Sequence, residues 1–166
     1  MLKKVIVVMA VALTMPVIAA AQKFGVVDVN TIFTAMPETT AAQTQLKEAS
    51  EKYQEESKKL SEEIDKKYQE YQALPADTPE SIKERRMQEI QELAQKVQAF
   101  NNTASQDLDK QQQQLMAPIQ QKLVDAIKAV GQEGGYTFIF ESALPAYIGG
   151  DVTDVTATVK GKLGIK

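Results

Sequence analysis

Two long stretches of helix-spaced apolar residues, joined by a short proline-containing break, constrain this chain more than any other feature. The first runs from Leu46 to Leu74 and the second from Ile82 to Val130. Spacings of three and four place such residues on one side of an α-helix. Because only residues 74–79 separate the two helices, they are expected to fold back as an antiparallel hairpin over 37–130. At 1.5 Å per residue, the helices would be roughly 55 and 75 Å long.

Residues typical of helix ends support these limits. Pro37 suits the first turn of a helix, where the missing N–H costs nothing. Thr78 is a good N-cap for the second helix, and Pro79 is a good first residue. Pro118 lies inside the second helix and predicts a kink near the root of the hairpin. Three glycines predict the end of that helix: Gly131, Gly134 and Gly135.

A short β-branched run precedes the hairpin. Residues 24–29, Phe-Gly-Val-Val-Asp-Val, predict a β-strand that contains Val26 and Val27. Asn30 is the predicted cap of a brief helical turn through Phe33. Residues 22–36 therefore bring a strand and a turn to the base of the hairpin.

A second group of short elements follows the hairpin. Residues 136–141 predict a strand with Tyr136, Phe138 and Phe140 on one face. Residues 143–148 are a further candidate strand, bounded by two glycines. The segment from Asp151, a candidate N-cap, to Leu163 predicts a terminal helix. Residues 131–166 are expected to join 22–36 in one small body.

The predicted body is too small to form a core alone. Roughly fifty residues with two or three short strands are marginal as an isolated domain, yet these segments are rich in apolar side chains. The simplest solution is that several copies pool their strands in a closed symmetric ring. The residues predicted to form this shared body are Phe24, Val26, Val27, Tyr136, Phe138 and Phe140.

The first 21 residues have the pattern of a secretory signal peptide. Lys3 and Lys4 precede an apolar run from Val5 to Ile18, and Ala19-Ala20-Ala21 resembles a cleavage site. The alternative is a membrane anchor, but the run is shorter than the roughly 20 residues that span a bilayer. We expect cleavage after Ala21, export, and no stable membrane insertion of the mature chain.

Composition argues against several classes of function. The formal charge is −3, and it becomes −5 when Lys3 and Lys4 leave with the signal peptide, so nucleic acid is an unexpected partner. The chain has no cysteine and no histidine, which removes the common zinc ligands and the thiol and Ser-His nucleophiles. We found no phosphate-binding loop and no nucleophile elbow. The chain is expected to be non-enzymatic, with no catalytic residue, metal or cofactor.

Adaptable side chains on the hairpin are candidates for binding another protein. Tyrosine and methionine make varied, weak contacts, and the distal half of the hairpin carries Tyr53, Tyr68, Tyr71 and Met87. Tyr53 and Tyr71 lie on the predicted seam and have the alternative of filling it. Tyr68 lies off the seam. A cluster of mixed charge at the tip favours ordinary i,i+4 pairs, with client or membrane contact as the alternative.

The chain resembles the Skp/OmpH family of periplasmic chaperones over residues 23–166. The resemblance lies in the strand and turn of residues 23–33, in Gln98-Ala99-Phe100, and in Gly135-Tyr-Thr-Phe-Ile-Phe140. It continues through Ala146-Tyr147 to Asp151-Val-Thr-Asp-Val-Thr156. The order and lengths of the elements are more specific than any one of these motifs.

This resemblance implies an α+β fold, predominantly α, in which a coiled-coil tentacle stands on a small β body. Three copies would share one barrel and form a jellyfish-shaped homotrimer. The implied function is an ATP-independent holdase that receives unfolded outer-membrane proteins in the cavity between the hairpins. The chain departs from familiar members in being acidic and in lacking positive charge over residues 101–107. A lipopolysaccharide site is therefore not carried over.

Two other functions compete with a holdase. A coiled-coil adaptor would dock one folded partner in a fixed register, and point substitutions on its hairpin would abolish binding. A membrane-surface protein would need a basic amphipathic face, which the mature sequence lacks. The interrupted seam, with Ser57 and Lys67 among apolar residues, favours the holdase.

Overall fold

The structure, a computed structural model, describes residues 22–165, so the expected signal peptide lies outside the described residues. The chain begins with a strand and a short helix, continues as a pair of long helices, and ends with two short strands and a helix. The elements in order are β1 (Phe24–Val27), α1 (Val29–Ala35), α2 (Pro37–Gln72), α3 (Glu80–Gly134), β2 (Phe138–Glu141), β3 (Thr153–Asp154) and α4 (Thr156–Leu163).

Helices α2 and α3 form the expected antiparallel hairpin on a small β body, which confirms the predicted fold. At 1.5 Å per residue they are about 54 and about 82 Å long. Contacts between them run in opposite directions along the two helices. The ion pair of Glu38 with Lys122 lies near the body, and Ser57 donates to Asn101 farther out, at 2.8 Å.

Several predicted helix ends were wrong by a few residues. Helix α3 begins at Glu80 with Pro79 as its N-cap, because Thr78 instead forms a turn through its N–H to the carbonyl of Pro75. The same helix passes through Gly131 and ends at Gly134, and Gly135 follows in the left-handed conformation at φ 64°. Glycine adopts this conformation without a Cβ clash, and it is a common helix stop.

The cap of the first short helix was also wrong. Asp28 caps α1, because its Oδ1 accepts from the N–H of Thr31 at 2.8 Å. Strand β1 accordingly ends at Val27, before the capping residue, and Asn30 lies within α1. An aspartate can cap a helix as well as an asparagine, so the two neighbours were not distinguished by residue type.

The seam of α3 differs slightly from the predicted stripe. Ile82 is exposed, and Gln111 is exposed as well. The side chains of Lys83 and Met87 are partly buried instead near the tip. The stripe therefore begins one residue later than the apolar pattern indicates. Pro118 lies inside α3, beside Ala41 and Ala42 of α2, at the body end of the hairpin.

The body contains a three-stranded parallel sheet in the order β2-β1-β3. Phe24 pairs with Phe138, and Gly25 pairs with Thr153 on the other side. The pairing of β1 with β2 is parallel because the long hairpin carries the chain out and back between them. Strands joined by a long crossover pair in this way.

The predicted strand at 143–148 was wrong, and so was the helix start at Asp151. The third strand is Thr153–Asp154, and α4 begins at Thr156. The N–H of Val155 donates to the carbonyl of Val26 at 2.8 Å, which holds this segment against β1. The side chain of Asp154 accepts from the N–H of Thr156 at 2.8 Å, where the helix begins.

One hydrophobic cluster joins the body to the root of the hairpin. Its innermost members come from α1, from the link to α2, and from the C-terminal segment: Ile32, Met36, Val155 and Val159. Three residues of α3, Leu123, Ala126 and Val130, also belong to it. Since the hairpin and the short elements share this core, the hairpin is anchored rigidly at one end. No helix among residues 22–165 has the length and apolarity needed to cross a bilayer.

Candidate interaction surfaces

One face of the sheet carries aromatic side chains that the chain itself does not bury. Phe24 and Phe138 stack with ring centroids 6.3 Å apart and an interplanar angle of 5°, and Phe138 and Phe140 follow at 5.8 Å. Phe138 is 56% exposed and Phe140 is 44% exposed. We call this side the outer sheet face, formed by Phe24, Val26, Phe138 and Phe140.

The loop after β2 extends the same apolar surface. An open cleft of about 440 Å³ lies between Phe24, Val26 and Phe140 on one side and residues 144–152 on the other. Leu144 and Tyr147 of this loop are among the most exposed large hydrophobic residues in the described part of the chain, at 73% and 84%. Sequence reasoning counted these two residues in the apolar supply of the small body, but it did not include them among the six residues predicted to form the shared surface. The sequence signal that could have identified them was an apolar run next to a pair of glycines.

The opposite face of the sheet packs against the chain's own helices. A Cβ placed on Gly25 would lie 3.2 Å from the ring of Tyr136 and 3.3 Å from Ile139. Val27 is buried in the core cluster, and Tyr136 packs against that cluster. The prediction that Tyr136 shares a face with Phe138 and Phe140 was therefore wrong. Tyr136 precedes β2, so strand alternation does not govern its side chain.

The lysine at the start of β1 holds Tyr136 in this position. Lys23 donates from Nζ to the carbonyl of Gly134 at 2.9 Å, and its Nζ lies 4.1 Å from the centroid of the Tyr136 ring. Such a cation–π contact stabilises the ring where α3 ends. Of the six residues predicted for the shared body, Val27 and Tyr136 thus pack within the chain. Phe24, Phe138 and Phe140 lie on the outer sheet face, and Val26 lies on the same side of β1 but is only 7% exposed.

The two edge strands of the sheet, β2 and β3, each pair with only one other described strand. Within residues 22–165, β2 and β3 each pair with β1 and with no other strand. An edge strand presents unpaired N–H and C=O groups, and native proteins usually cover or pair such edges. The aromatic outer sheet face and the open edges lie on the same small body. Both features are typical of a surface that another chain covers.

On the hairpin, Tyr53 belongs to the seam between the helices. Its ring lies 6.0 Å from that of Phe100 at an interplanar angle of 59°, and its hydroxyl donates to Asp107 at 3.2 Å. Burial, together with the Asp107 carboxylate, raises the pKa of the Tyr53 phenol. These contacts join α2 to α3, and they favour the structural alternative for this tyrosine.

The other three candidate residues lie nearer the tip. Tyr71 and Met87 line one open cleft, which is rimmed by charged and amide side chains including Lys83 and Glu84. Both residues are partly buried, whereas Tyr68 is 46% exposed and lies outside that cleft. The structure thus brings Tyr71 and Met87 together and leaves Tyr53 and Tyr68 apart from them.

Charged residues at the tip pair locally. Arg85 and Arg86 both contact Glu89, at 3.2 and 3.1 Å, and Lys83 lies 3.8 Å from Glu80. These are the i,i+3 and i,i+4 pairs of an exposed helix, each of small energetic weight. Among residues 22–165, no group of carboxylates and other ligands is arranged to hold a metal ion.

Comparison with known proteins assigns the chain to a family. Residues 23–163 match the family model described as outer membrane protein (OmpH-like), and the chain belongs to this family. It is also 26% identical over 146 residues to the Chaperone protein Skp of Pectobacterium atrosepticum. That alignment covers 86% of this chain and 86% of the relative. The family agrees with the resemblance noted from the sequence.

Proposed function

We propose that the mature protein is a periplasmic holdase chaperone, which binds unfolded outer-membrane proteins and keeps them from aggregating without using ATP. Family membership and the relative named as a chaperone support this class of function. The signal-peptide pattern of residues 1–21 supports export. The observation that carries the proposal is the outer sheet face. Its exposed aromatic side chains can become buried between copies of the chain, and this would bring several long hairpins together on one body.

Three copies of the chain assemble through this face. Phe138, Phe140, Leu144 and Tyr147 of each copy become buried against the neighbouring copies, and the open edges of β2 and β3 gain partners. Burial of apolar surface at about 25 cal/mol per Å² makes such a body stable where a single copy is marginal. The four outer-face residues and the 144–152 loop form the shared barrel, whereas Val27 and Tyr136 support it from inside each copy.

Assembly converts three separate hairpins into the wall of one cavity. Each hairpin is anchored at its root by Leu123, Ala126 and Val130 and extends far beyond the body. Three such projections from one ring enclose a space that is open between them. An unfolded chain in this space contacts many side chains weakly, including Tyr68, Tyr71 and Met87, and no single contact dominates.

Binding of the unfolded state then suppresses aggregation by mass action. A partner that binds only the unfolded form lowers its free concentration. Aggregation requires encounters between exposed hydrophobic segments, so its rate falls steeply with that concentration. Release follows when the client folds or is taken up elsewhere, and this cycle requires no nucleotide hydrolysis.

Light scattering after size-exclusion chromatography tests the proposal with residues 22–166. Alone, the protein is expected at three times the chain mass; with a urea-denatured outer-membrane barrel protein, it should gain one client and keep it soluble. Removal of ATP with apyrase should change neither result. A folded monomer, or a trimer that ignores unfolded clients and binds one folded protein, would support the adaptor function instead.

A further inference from the structure

The two helices of the hairpin differ sharply in charge. In residues 47–71 of α2, 14 of 25 side chains are charged, whereas in residues 97–121 of α3 only Asp107, Asp109 and Lys110 are. Glutamine and asparagine occupy ten of those 25 positions in α3. One helix of the hairpin is therefore strongly charged and the other is rich in amides.

Five of these ten amides lie along one ridge of α3. The ridge lies opposite the seam residues Phe100, Ala104 and Leu108, as expected from spacings of four and seven. All of its members are exposed: Gln98, Asn102, Gln106, Gln113 and Gln120. We call this ridge the amide face. Asp109 and Lys110 interrupt it between Gln106 and Gln113, and Met116 and Ala117 interrupt it between Gln113 and Gln120.

The side chains of the amide face have donors and acceptors that are not used within the described part of the chain. Some other amides of α3 are engaged: Asn101 accepts from Ser57 at 2.8 Å, and Gln121 donates to Asp125 at 2.8 Å. Within residues 22–165, the five side chains of the amide face form no such bond. Each amide group has two donors and an acceptor oxygen, which is the same chemistry as the peptide group.

We propose that the amide face is the surface on which the backbone of an unfolded polypeptide rests. This inference rests on the proposed holdase function and names its contact surface. An unfolded chain exposes backbone N–H and C=O groups along its whole length, whatever its sequence, and they need a partner wherever binding removes their water. Side-chain amides can satisfy both groups, so they bind the feature that all clients share.

The lack of charge is what suits this surface to varied clients. A polypeptide lying on a charged helix removes water from the charges, and this cost is large unless each charge finds a partner. Fixed charges would also select clients by their own charge, and this protein is acidic overall. Neutral amides cost less to desolvate than charges, and they do not select clients by charge. The charged helix α2 keeps the assembly soluble.

Matched triple variants test the proposal on the complete mature protein. Gln98→Glu/Gln106→Glu/Gln113→Glu places three charges on the amide face with little change in shape or helix propensity. Gln43→Glu/Gln54→Glu/Gln69→Glu makes the same three changes at exposed positions of α2 and serves as the control. A third variant replaces the same amide-face residues by lysine. Affinity is measured by fluorescence for one acidic and one basic urea-denatured outer-membrane protein.

Both amide-face variants should bind both clients at least about fivefold more weakly than wild type, and the α2 control should stay within about twofold. Wild-type affinity should change little between 50 and 500 mM NaCl, since salt screens charges and hardly affects neutral hydrogen bonds. Circular dichroism checks that all variants keep their helix content.

Three results would overturn the proposal while leaving the holdase function intact. The amide-face variants could bind as well as wild type, or the control could lose as much affinity as they do. Alternatively, the glutamate and lysine variants could shift affinity in opposite directions that follow client charge. A change in oligomeric mass would show instead that the face contacts a second copy. If wild type binds neither client, the proposed function itself fails.

Discussion

The rings of Phe24 and Phe138 lie nearly parallel, with planes 5° apart and centroids 6.3 Å apart, although the whole hairpin lies between the two residues in the sequence. The stack is made possible by the parallel pairing of β1 with β2, which places Phe24 directly opposite Phe138. Phe138 nevertheless remains 56% exposed. A stacked aromatic pair left open to solvent is unfavourable for an isolated copy and becomes favourable when another copy covers it.

Substitution of Phe138 by aspartate should disrupt assembly. The change removes apolar area worth about 1.5–3 kcal/mol when buried and places a charge in the interface, so association should weaken about tenfold or more. The measurement is mass by light scattering across a dilution series. Tyr68→Asp is the control, because it changes an exposed aromatic residue on the hairpin and should preserve the trimer. An unchanged mass for Phe138→Asp would contradict the assigned interface.

The anchoring of the hairpin predicts a contrast between two adjacent residues of α3. Leu123 is 3% exposed in the core cluster, and Val124 is 43% exposed. Leu123→Ala should lower the free energy of unfolding by about 2–5 kcal/mol, because it leaves a cavity. Val124→Ala should cost about 1 kcal/mol or less. Urea unfolding at fixed protein concentration compares them, and equal losses would show that the root is packed differently.

The tyrosines of the hairpin should separate into structural and client-contacting residues. Tyr53 packs on Phe100, so Tyr53→Ala should lower the thermal midpoint, whereas Tyr53→Phe retains the ring and should lower it much less. Tyr68→Ala should leave the midpoint unchanged and weaken client binding about two- to fivefold, as expected for one aromatic contact among many. A larger loss of client binding in Tyr53→Phe than in Tyr68→Ala would reverse this assignment.

The cap of α1 predicts a pH-dependent contribution to stability. The hydroxyl of Thr31 donates to Asp28 at 2.6 Å and its N–H donates at 2.8 Å. These bonds, with a smaller effect from Lys160, hold the pKa of Asp28 below its ordinary value. A lowered pKa in the folded state gives stability that is fully present above the ordinary carboxyl pKa. That stability is lost as the pH falls through the lowered value.

Asp28→Asn isolates this contribution, because asparagine keeps an acceptor oxygen and removes the charge. Its urea midpoint should lie below that of wild type at pH 7, and the difference should shrink below about pH 4, where the Asp28 carboxyl group of the unfolded chain becomes protonated. Unfolding is followed by circular dichroism at each pH. A difference that stays constant between pH 7 and pH 3 would show that the charge of Asp28 contributes nothing.

Much of the fold could be predicted because its signals are local. The three- and four-residue spacing from Leu46 to Val130 needs no partner to be recognised, and it correctly indicated both long helices and their antiparallel arrangement. Errors at the ends, such as Asn30 as the cap of α1, arose because Asp28 and Asn30 were equally suitable by type. Their roles were decided by which backbone N–H each group reached.

The candidate surfaces were harder to predict. Phe24, Val26, Phe138 and Phe140 were identified from strand alternation, and the structure places them on one face. Tyr136 was assigned to the wrong face because its side chain follows the turn at Gly135 and not the strand. Leu144 and Tyr147 were left out, since an apolar run looks the same whether it is a strand or an exposed loop.

The helices follow from local sequence, because helical hydrogen bonds form within a segment and the 3.6-residue period shows which side is buried. The pairing of the strands depends on the folded chain. Thr153 and Asp154 are a strand because Val26 and its neighbours lie beside them, and that pairing depends on a hairpin returning to its starting point. A short strand shows in its own alternation which side chains share a face, but nothing in its sequence shows which distant strand it pairs with.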